Sequence, residues 1–249
     1  MRDVSSYLAR IGYTGPAEPT AETLRTLHRL HMMSVPFENL DISLGRKIEI
    51  DEDAILKKVI ERRRGGFCYE LNGAFAALLR AMGFQVTLLS ARVARADGSE
   101  SPEFDHLTLR VDLEQPWLAD VGFGESFLEP LRLSADKEQL DPAGVFRLIR
   151  EGDRWHVQKS ESDGWKAQYS FSLQPHLLED FAGMCRYHQT SPESSFTQKR
   201  ICSRATPNGR ITLSEMKLII TNKGEREERA LASQAEWMTT LEEQFGIRL

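Results

Sequence analysis

Three residues in the first half of the chain could together carry out nucleophilic catalysis. Cys68 lies in RGGFCYELNG, one residue beyond two glycines and at the predicted start of a helix, while His106 lies in FDHLTLRV and Asp120 in LADVGFG. The thiolate is the reactive form of a cysteine, and the free N–H groups and the dipole at a helix N-terminus stabilise that form. The position of Cys68 therefore predicts a nucleophile, and an ion pair with a histidine would lower the pKa of its thiol.

The two other residues have the chemistry that such a nucleophile needs. A histidine can take the thiol proton and form an ion pair with the thiolate, and an aspartate can orient the imidazole and stabilise its cationic form. Asp120 follows an apolar stretch, where a carboxylate is costly to bury unless it is paired, and an N–H group of His106 is a fitting partner. The chain order Cys, His, Asp is the order of papain-like and transglutaminase-like enzymes.

Each residue also has an ordinary explanation when it is taken alone. A lone cysteine such as Cys68 is usually buried and inert. A histidine on a strand, such as His106, is more often a partly exposed polar residue than a base. Catalysis is therefore predicted from the set of three residues and not from any one of them.

Apolar periodicity places Cys68 on a helix within a helical first third of the chain. The spacing of apolar residues predicts helices over 20–34, 51–63 and 68–82. Thr20 and Asp51 are expected to cap the first two of these helices.

The rest of the chain has the pattern of β-structure followed by a helix. From residue 84 to about 175 the apolar residues alternate, which predicts antiparallel strands in a sheet or barrel. Tight turns are expected at Gly152-Asp153 and Asp163-Gly164. Further strands are predicted on both sides of a turn at Pro207-Asn208-Gly209, and a final helix is predicted over about 228–245.

Composition and charge argue against several classes of protein. The 249 residues suffice for one large domain or two to three small ones, and the net charge of −5 argues against a general nucleic-acid binder, which needs a basic face. Three cysteines without a C-x-x-C pair argue against a disulfide framework and a closed zinc site, so no metal is expected. Because we find no signal peptide and no run of 18 apolar residues, we expect a cytoplasmic protein without a membrane partner.

Several motifs resemble those of the arylamine N-acetyltransferases. They are RGGFCYELNG, FDHLTL and LADVGFG, together with VPFENLDI at 35–42 and the pattern TPNGRITL near the C-terminus, so that the resemblance covers nearly the whole chain. It implies an α+β fold around a papain- or transglutaminase-like cysteine core. The expected domains are an N-terminal helical bundle with the nucleophile at 1–83, a central antiparallel β-barrel with the histidine and aspartate at 84–188, and a C-terminal α/β lid at 189–249.

The resemblance also implies a reaction. Enzymes of this family move an acetyl group from acetyl-coenzyme A to the nitrogen of arylamines, arylhydrazines or arylhydroxylamines, by a ping-pong mechanism through an acetyl-cysteine, and they belong to xenobiotic metabolism. By residue matching, Cys68 carries the acetyl group, His106 is the base and Asp120 orients the base. Arg64 and Glu38 match a pair that braces the site, although Arg64 could instead be a solvated charge in the run ERRR.

Aromatic and basic residues supply candidates for binding. Phe37, Phe123 and Phe196 could line a pocket for the aryl ring, or could be ordinary core residues. The candidates for contact with coenzyme A are Gly65, Gly66, Thr206 and Gly209. Coenzyme A is a polyanion, so positive charge is expected near it. Basic residues near the TPNGR turn, for which a solvated surface is the alternative, are Lys199, Arg200, Arg204 and Arg210.

Two other functions are compatible with the same triad. One is a transglutaminase-like thiol hydrolase or deamidase that acts on a peptide or glutamine substrate, and the other is a binding domain whose triad is catalytically dead. Cys185 and Cys202 match no role in the family and are expected to be structural. The chain stops at EEQFGIRL, where many members of the family continue, and we therefore expect some hydrolysis of acetyl-coenzyme A without an amine.

Overall fold

Eight α-helices lie among residues 4–249, which are the residues that the computed structural model describes. They are α1 (Val4–Ile11), α2 (Ala21–Ser34), α3 (Leu40–Ser43), α4 (Glu52–Leu56), α5 (Cys68–Ala81), α6 (Ala182–Thr190), α7 (Ser195–Gln198) and α8 (Gln234–Phe245). A π-helix, Lys57–Glu61, continues α4, and a 3-10 helix, Leu178–Phe181, precedes α6. The sequence predictions have no counterpart of α1, α3, α6 or α7, which are all nine residues or shorter.

Helix α5 has Cys68 as its first residue, and the helix predicted over 68–82 is confirmed. The start of α5 is fixed by Glu70, whose carboxylate accepts the main-chain N–H of Phe67 at 3.2 Å. The helix is apolar almost all round, and residues such as Leu71 and Phe75 are completely buried between the other helices and the large sheet. Burial on every side holds the helix start, and with it Cys68, in one place.

Helices α2 and α4 begin at the predicted caps. The side chain of Thr20 accepts the main-chain N–H three residues later at 3.1 Å, and α2 follows as predicted. Asp51 does the same at 2.9 Å for α4. The helix predicted over 51–63 therefore starts where expected, but it continues as the π-helix and ends at Glu61.

Among the described residues, thirteen strands form two antiparallel sheets. The large sheet has the order β5-β4-β3-β2-β9-β8-β7-β6, and the small sheet has the order β1-β10-β11-β12-β13. The strands are β1 (Phe37–Glu38), β2 (Gln85–Val93), β3 (His106–Asp112), β4 (Pro116–Ala119), β5 (Leu131–Arg132), β6 (Glu138–Asp141), β7 (Gly144–Glu151), β8 (Arg154–Glu161), β9 (Gly164–Ser172), β10 (Ile201–Thr206), β11 (Gly209–Ser214), β12 (Lys217–Asn222) and β13 (Glu225–Ala230).

The large sheet curls until its two edge strands meet. The side-chain amide of Gln139 on β6 forms two hydrogen bonds with the main chain of Arg132 on β5. Its oxygen accepts the Arg132 N–H at 2.7 Å, and its nitrogen donates to the Arg132 carbonyl at 3.0 Å. The sheet or barrel predicted over 84 to about 175 is confirmed. The turn at Gly152-Asp153 is also confirmed, but the next turn lies one residue earlier than predicted, because Gly164 already pairs with Glu161.

Strand β3 is buried on both of its faces. Leu107 and Leu109 pack against the helices, while His106 and Thr108, on the opposite face, are also almost completely inaccessible to solvent. A strand with one face on the helical core and the other toward the inside of a curled sheet needs no polar outer face. This placement explains why a histidine can be fully buried here.

The small sheet joins the beginning of the chain to its end. Strand β1 pairs with β10, so that Phe37 lies opposite Ser203. The helix predicted over 228–245 is wrong at its start, because residues 225–230 form β13 and α8 begins only after Ser233, which caps it. The segment EREERA has a composition that favours a helix, but the turn at Lys223 and Gly224, both with positive φ, folds it back onto β12 as an exposed edge strand.

These elements make the fold α+β, as expected. The domain boundaries at 1–83, 84–188 and 189–249 stay a prediction. No helix among residues 4–249 has both the length and the apolar composition needed to cross a bilayer.

Candidate active site

The structure brings Cys68, His106 and Asp120 into one buried region. Cys68 begins α5, His106 begins β3 and Asp120 directly follows β4. The Nε2 atom of His106 lies 2.6 Å from Oδ2 of Asp120, and the Cys68 sulfur lies 4.0 Å from the carbonyl oxygen of Asp105, the residue before the histidine. With Nε2–H donated to the carboxylate, Nδ1 of His106 is left as the nitrogen that can accept a proton.

Asn72 connects the three elements that carry these residues. Its side-chain nitrogen donates to the Leu107 carbonyl at 2.6 Å and to Oδ1 of Asp120 at 2.9 Å, and its oxygen accepts the N–H of Val121 at 2.9 Å. Asn72 therefore holds β3 and the loop after β4 against α5. Sequence reasoning missed this residue, although it lies four positions after Cys68 and so on the same face of the helix.

The carboxylate of Asp120 is buried but fully paired. Burial by itself raises the pKa of Asp120. The nearby His106 and the hydrogen bonds from His106, Asn72 and the N–H of Gly122 lower it by more than burial raises it, so that the pKa lies below its ordinary value. Asp120 therefore stays anionic, as the partner of an imidazolium must be.

His28 fixes the main chain of Asp120 from the opposite side. Its Nε2 accepts the N–H of Asp120 at 3.1 Å and its Nδ1 lies 2.8 Å from the Leu128 carbonyl, so the ring carries its hydrogen on Nδ1. Burial lowers the pKa of His28 to about 4, and the ring is neutral at neutral pH. The sequence places His28 on the apolar face of α2 but does not indicate this contact.

The ion pair of a Cys68 thiolate with a His106 imidazolium, which would lower the pKa of the thiol, stays a prediction. Burial raises the pKa of Cys68 well above its ordinary value, a hydrogen bond from the main chain of Leu107 opposes this, and the charges of Asp105 and Asp120 add to the rise. The start of a helix does not compensate for burial here. Only proton transfer to His106 can supply the cation that stabilises a thiolate at this position.

A buried group of five charged residues lies behind the start of α5. The residues, called the ionic cluster below, are Glu38, Asp41, Lys58, Arg64 and Glu70. Arg64 lies 2.8 Å from Glu38 and 3.1 Å from Asp41, and Lys58 lies 2.8 Å from Asp41 and 2.7 Å from Glu70. The predicted contact of Arg64 with Glu38 is present, and the alternative of a solvated Arg64 is wrong because its side chain is only 6% exposed.

Glu70 links the ionic cluster to the start of α5. One of its oxygens accepts from Lys58 and the other accepts the N–H of Phe67, the residue before Cys68. Burial raises the pKa of Glu70 to about 7, although Lys58 lowers it. Sequence reasoning found two members of the cluster and missed Asp41, Lys58 and Glu70, which lie in stretches that otherwise look like ordinary solvated helices.

Gly65 and Gly66 are required by close packing. A Cβ atom on Gly65 would lie 1.8 Å from the Pro36 carbonyl oxygen, and one on Gly66 would lie 2.6 Å from Cβ of Glu70. The space that these glycines leave is thus filled by the protein itself. Their expected contact with coenzyme A could be made only by the main chain.

All three candidate phenylalanines line one cavity of about 460 Å³. Phe123 places its ring 5.2 Å from the ring of His106, and the rings of Phe37 and Phe196 are 6.1 Å apart. The three side chains are half-buried, with one side in the core and another on the cavity. Phe123 therefore connects this cavity, which has aromatic walls, to the ring of His106.

The structure separates the other binding candidates. Lys199 and Arg210 line the same cavity, whereas Thr206 and Gly209 do not line it and pair with each other at the end of a hairpin. The two remaining basic candidates are engaged elsewhere. Arg200 stacks 4.4 Å from the Trp237 ring, and Arg204 donates to the carbonyl groups of Met33 and Gln244.

A second histidine–carboxylate pair lies beside Cys68. His188 on α6 places Nε2 3.1 Å from Asp105 and Nδ1 3.1 Å from the hydroxyl of Ser194. Its ring meets Phe196 edge-on at 5.1 Å. The pair connects the segment that carries Phe196 to the start of β3, and sequence reasoning missed it.

The structural role expected for the remaining cysteines stays a prediction. Cys185 and Cys202 are free and buried, and burial raises the pKa of Cys185 to about 12. Within residues 4–249, no three His, Cys, Asp or Glu side chains are grouped as a metal site requires.

Comparisons with known proteins agree on one family. The family model described as N-acetyltransferase matches residues 20–249. The arylamine N-acetyltransferase of Escherichia coli (strain K12) is 36% identical over 98% of this chain and 88% of its own length.

Solved structures give the same result. The arylamine N-acetyltransferase from Salmonella typhimurium superposes with a TM-score of 0.95 at 35% identity, covering 99% of this chain and 92% of the other. The Mycobacterium marinum arylamine N-acetyltransferase in complex with CoA superposes with a TM-score of 0.92 at 33% identity, covering 98% of this chain and 93% of the other.

Proposed function

This chain belongs to the arylamine N-acetyltransferase family and is an acetyltransferase, and we propose that it works by a ping-pong reaction in which Cys68 carries the acetyl group. The donor is acetyl-coenzyme A, and the acceptor is the nitrogen of an arylamine, arylhydrazine or arylhydroxylamine. The observation that carries this proposal is the 2.6 Å contact of His106 with Asp120 beside the cysteine that begins α5.

In the first half-reaction, Nδ1 of His106 takes the proton of the Cys68 thiol. The thiolate attacks the carbonyl carbon of the acetyl thioester, so that a new C–S bond forms and the C–S bond to coenzyme A breaks. The leaving thiolate takes the proton from His106 and departs as free coenzyme A. Asp120 stabilises the imidazolium during this step, when the positive charge would otherwise be buried without a partner.

In the second half-reaction, the amine nitrogen attacks the carbonyl carbon of acetyl-Cys68. The C–S bond breaks, and His106 takes a proton from the amine and returns it to the sulfur. The products are the acetylated amine and the free thiol of the resting enzyme. An amine held beside the thioester reacts faster than water because binding raises its effective concentration.

We propose that Phe37, Phe123 and Phe196 hold the flat ring of the acceptor. Their support is the shared cavity and the position of Phe123 next to His106. Arg64 and Glu38 support the reaction indirectly by holding the start of α5 through the ionic cluster.

Other assignments stay predictions. Contact of Gly65, Gly66, Thr206 and Gly209 with coenzyme A is one of them. The cytoplasmic location is another.

Mass spectrometry tests the acetyl-cysteine directly. Incubation with acetyl-coenzyme A and no acceptor should add a single acetyl group, located on Cys68, and Cys68→Ser should remain unmodified. An acetyl group on Cys185 or Cys202 instead would overturn the assignment. Formation of N-acetyl product should then depend on an added arylamine. If acetate dominates for every aryl acceptor, the protein would be a thiol hydrolase.

A further inference from the structure

We propose, on the basis of the acetyltransferase function above, that Arg210 and Lys199 form an anion-binding subsite inside the aromatic cavity. The ligand is an anionic oxygen group, which is either a carboxylate on the arylamine acceptor or a phosphate of coenzyme A.

The first support comes from the charges that line the cavity. They are those of Glu125, Lys199, Arg210 and Arg226. Arg226 is paired with a carboxylate of its own strand at 2.5 Å, and Glu125 is paired with a lysine of β8 at 3.8 Å. Among residues 4–249, no ion pair joins Lys199 or Arg210 to a carboxylate within 4.0 Å. Two positive charges without an ion pair therefore face this cavity in a protein whose net charge is −5, and Glu125 acts on Arg210 only from beyond 4.0 Å.

The second support is the way in which Arg210 is held. Its guanidinium donates to the hydroxyl of Ser203 at 2.9 Å and to the main-chain oxygen of Gly124. Ser203 pairs with Phe37, and Gly124 follows Phe123, so the guanidinium lies between two of the aromatic walls. A cation fixed in this way is costly to keep half-buried unless a ligand compensates its charge.

The chemistry of guanidinium defines the class of ligand. Arginine has five N–H donors in a planar fork, and the structure gives partners to two of its terminal nitrogens. The remaining donors suit the two oxygens of a carboxylate or phosphate. Lys199 adds a point charge on the same cavity. With the phenylalanines holding a ring, the arrangement fits an aminobenzoate better than an uncharged aniline.

The test compares Arg210→Gln and Lys199→Gln with the unchanged enzyme, using acceptors and donors that differ only in charge. In the acceptor arm, 4-nitrophenyl acetate is the donor, and 4-aminobenzoate is compared with uncharged 4-aminobenzamide. A carboxylate bound by Arg210 predicts a KM for 4-aminobenzoate that rises about tenfold or more in Arg210→Gln, as expected for a charged hydrogen bond. The KM for 4-aminobenzamide should stay within about twofold of its original value.

The donor arm uses the uncharged acceptor and compares acetyl-coenzyme A with 4-nitrophenyl acetate. If the anion is a phosphate of coenzyme A, only the KM for acetyl-coenzyme A rises in the two variants. Lys166→Gln is the matched control, because it removes one exposed positive charge from β9, away from the cavity. The Lys199 side chain has no hydrogen-bond partner among the described residues, so Lys199→Gln tests the subsite without disturbing the fold.

Equal kinetic effects on charged and uncharged ligands in both arms would overturn the proposal. Titration calorimetry with 4-aminobenzoate, and separately with coenzyme A, reads the subsite independently of catalysis. Absence of acetyl-Cys68 with both donors would instead overturn the proposed mechanism, and the calorimetric comparison of Arg210→Gln with Lys166→Gln would still decide whether the anion subsite exists.

Discussion

Two groups of buried charges lie on either side of the start of α5, and they differ in what surrounds them. In the ionic cluster, every carboxylate and every cation is paired with another member of the cluster, and none of its members lines the aromatic cavity. The pair of His106 and Asp120, in contrast, lies beside the thiol of Cys68 and beside Phe123, which does line that cavity.

Similar ion pairs therefore have different roles at the two places. The cluster cannot reach a substrate, so its charges can only fix the position of the chain that carries the nucleophile. The pair of His106 and Asp120 lies beside Cys68, and we propose that it acts on the reacting atoms. Substitutions in the cluster should therefore lower stability more than catalysis, and substitutions in the pair should lower catalysis more than stability.

The largest effect is expected from Asp120→Asn. The substitution keeps the size of the side chain but removes the anion that stabilises the imidazolium of His106 and fixes its tautomer. The value of kcat/KM should fall by about 10⁴-fold, as for a triad aspartate in general. Asp163→Asn, at an exposed turn, is the control. Activity within tenfold of that of the unchanged enzyme would show that the pair of His106 and Asp120, like the ionic cluster, has a structural role.

The same variant also tests the state of the thiol. Because burial raises the pKa of Cys68 in the absence of an imidazolium, the alkylation of Cys68 by iodoacetamide should move to higher pH in Asp120→Asn. An unchanged pH profile would show that Asp120 does not influence proton transfer from the cysteine.

Arg64→Met should have the next largest effect, and on stability. Removing one partner leaves Glu38 and Asp41 partly uncompensated in the interior, which should lower the free energy of unfolding by about 3–5 kcal/mol. Arg62→Met, an exposed neighbour in the same run, is the control. Urea unfolding measures the loss, and kcat/KM of the folded fraction should change much less. Normal stability with lost activity would contradict the structural role.

Glu70→Gln should change how stability depends on pH. The ionic cluster contains three carboxylates and two cations, so one added proton makes it neutral, and the pKa of Glu70 is raised to about 7. A raised carboxyl pKa means that the folded state binds a proton that the unfolded state has already lost, so stability falls as the pH rises from about 4.5 to 7.

Glu70→Gln has no carboxyl group that titrates in this pH range. The stability of the variant relative to the unchanged protein should therefore increase with pH, by up to about 1.4 kcal/mol per pH unit. Urea unfolding at a series of pH values provides the comparison. A stability difference that is constant between pH 5 and 6.5 would contradict the role of Glu70.

Much of the fold could be predicted from the sequence, because the apolar residues of the elements near Cys68 recur with a clear period. Helix α5 and the caps at Thr20 and Asp51 follow from local chemistry that a sequence displays directly. Strand β13 does not, because its helix-like composition is overruled by a turn and by pairing with β12. Local propensity is weaker than such tertiary pairing.

The candidate site also contains residues that local sequence predicts and residues that it does not. The triad and the contact of Arg64 with Glu38 follow recognisable motifs, whereas Lys58 and His188 make their ion pairs with residues 12 to 83 positions away. The sequence shows such residues as ordinary polar positions on helices, because nothing local records which distant segment they meet. The burial of Cys68, which raises the pKa of its thiol although it lies at a helix start, is likewise a property of the assembled fold.

The smallest effect is expected from His28→Gln, which changes a buried titratable group that belongs to neither set of charges. A glutamine can still accept the N–H of Asp120 and donate to the Leu128 carbonyl, so the position of Asp120 should be kept and kcat/KM should fall less than tenfold. The lost ring contacts with Phe127 and Phe75 should cost about 1 kcal/mol of stability.

The pH dependence makes this variant informative. Because the pKa of His28 is lowered to about 4, the unfolded state binds a proton first as the pH falls, and the stability from this residue is lost between about pH 6.5 and 4. The sign is opposite to that of Glu70, and buried His31, whose pKa is also lowered, acts in the same direction as His28. Relative to the unchanged protein, His28→Gln should therefore gain stability as the pH falls, while Glu70→Gln should gain it as the pH rises. If both variants moved in the same direction in parallel urea titrations, His28 would not be the neutral contact of Asp120 that its hydrogen bonds indicate.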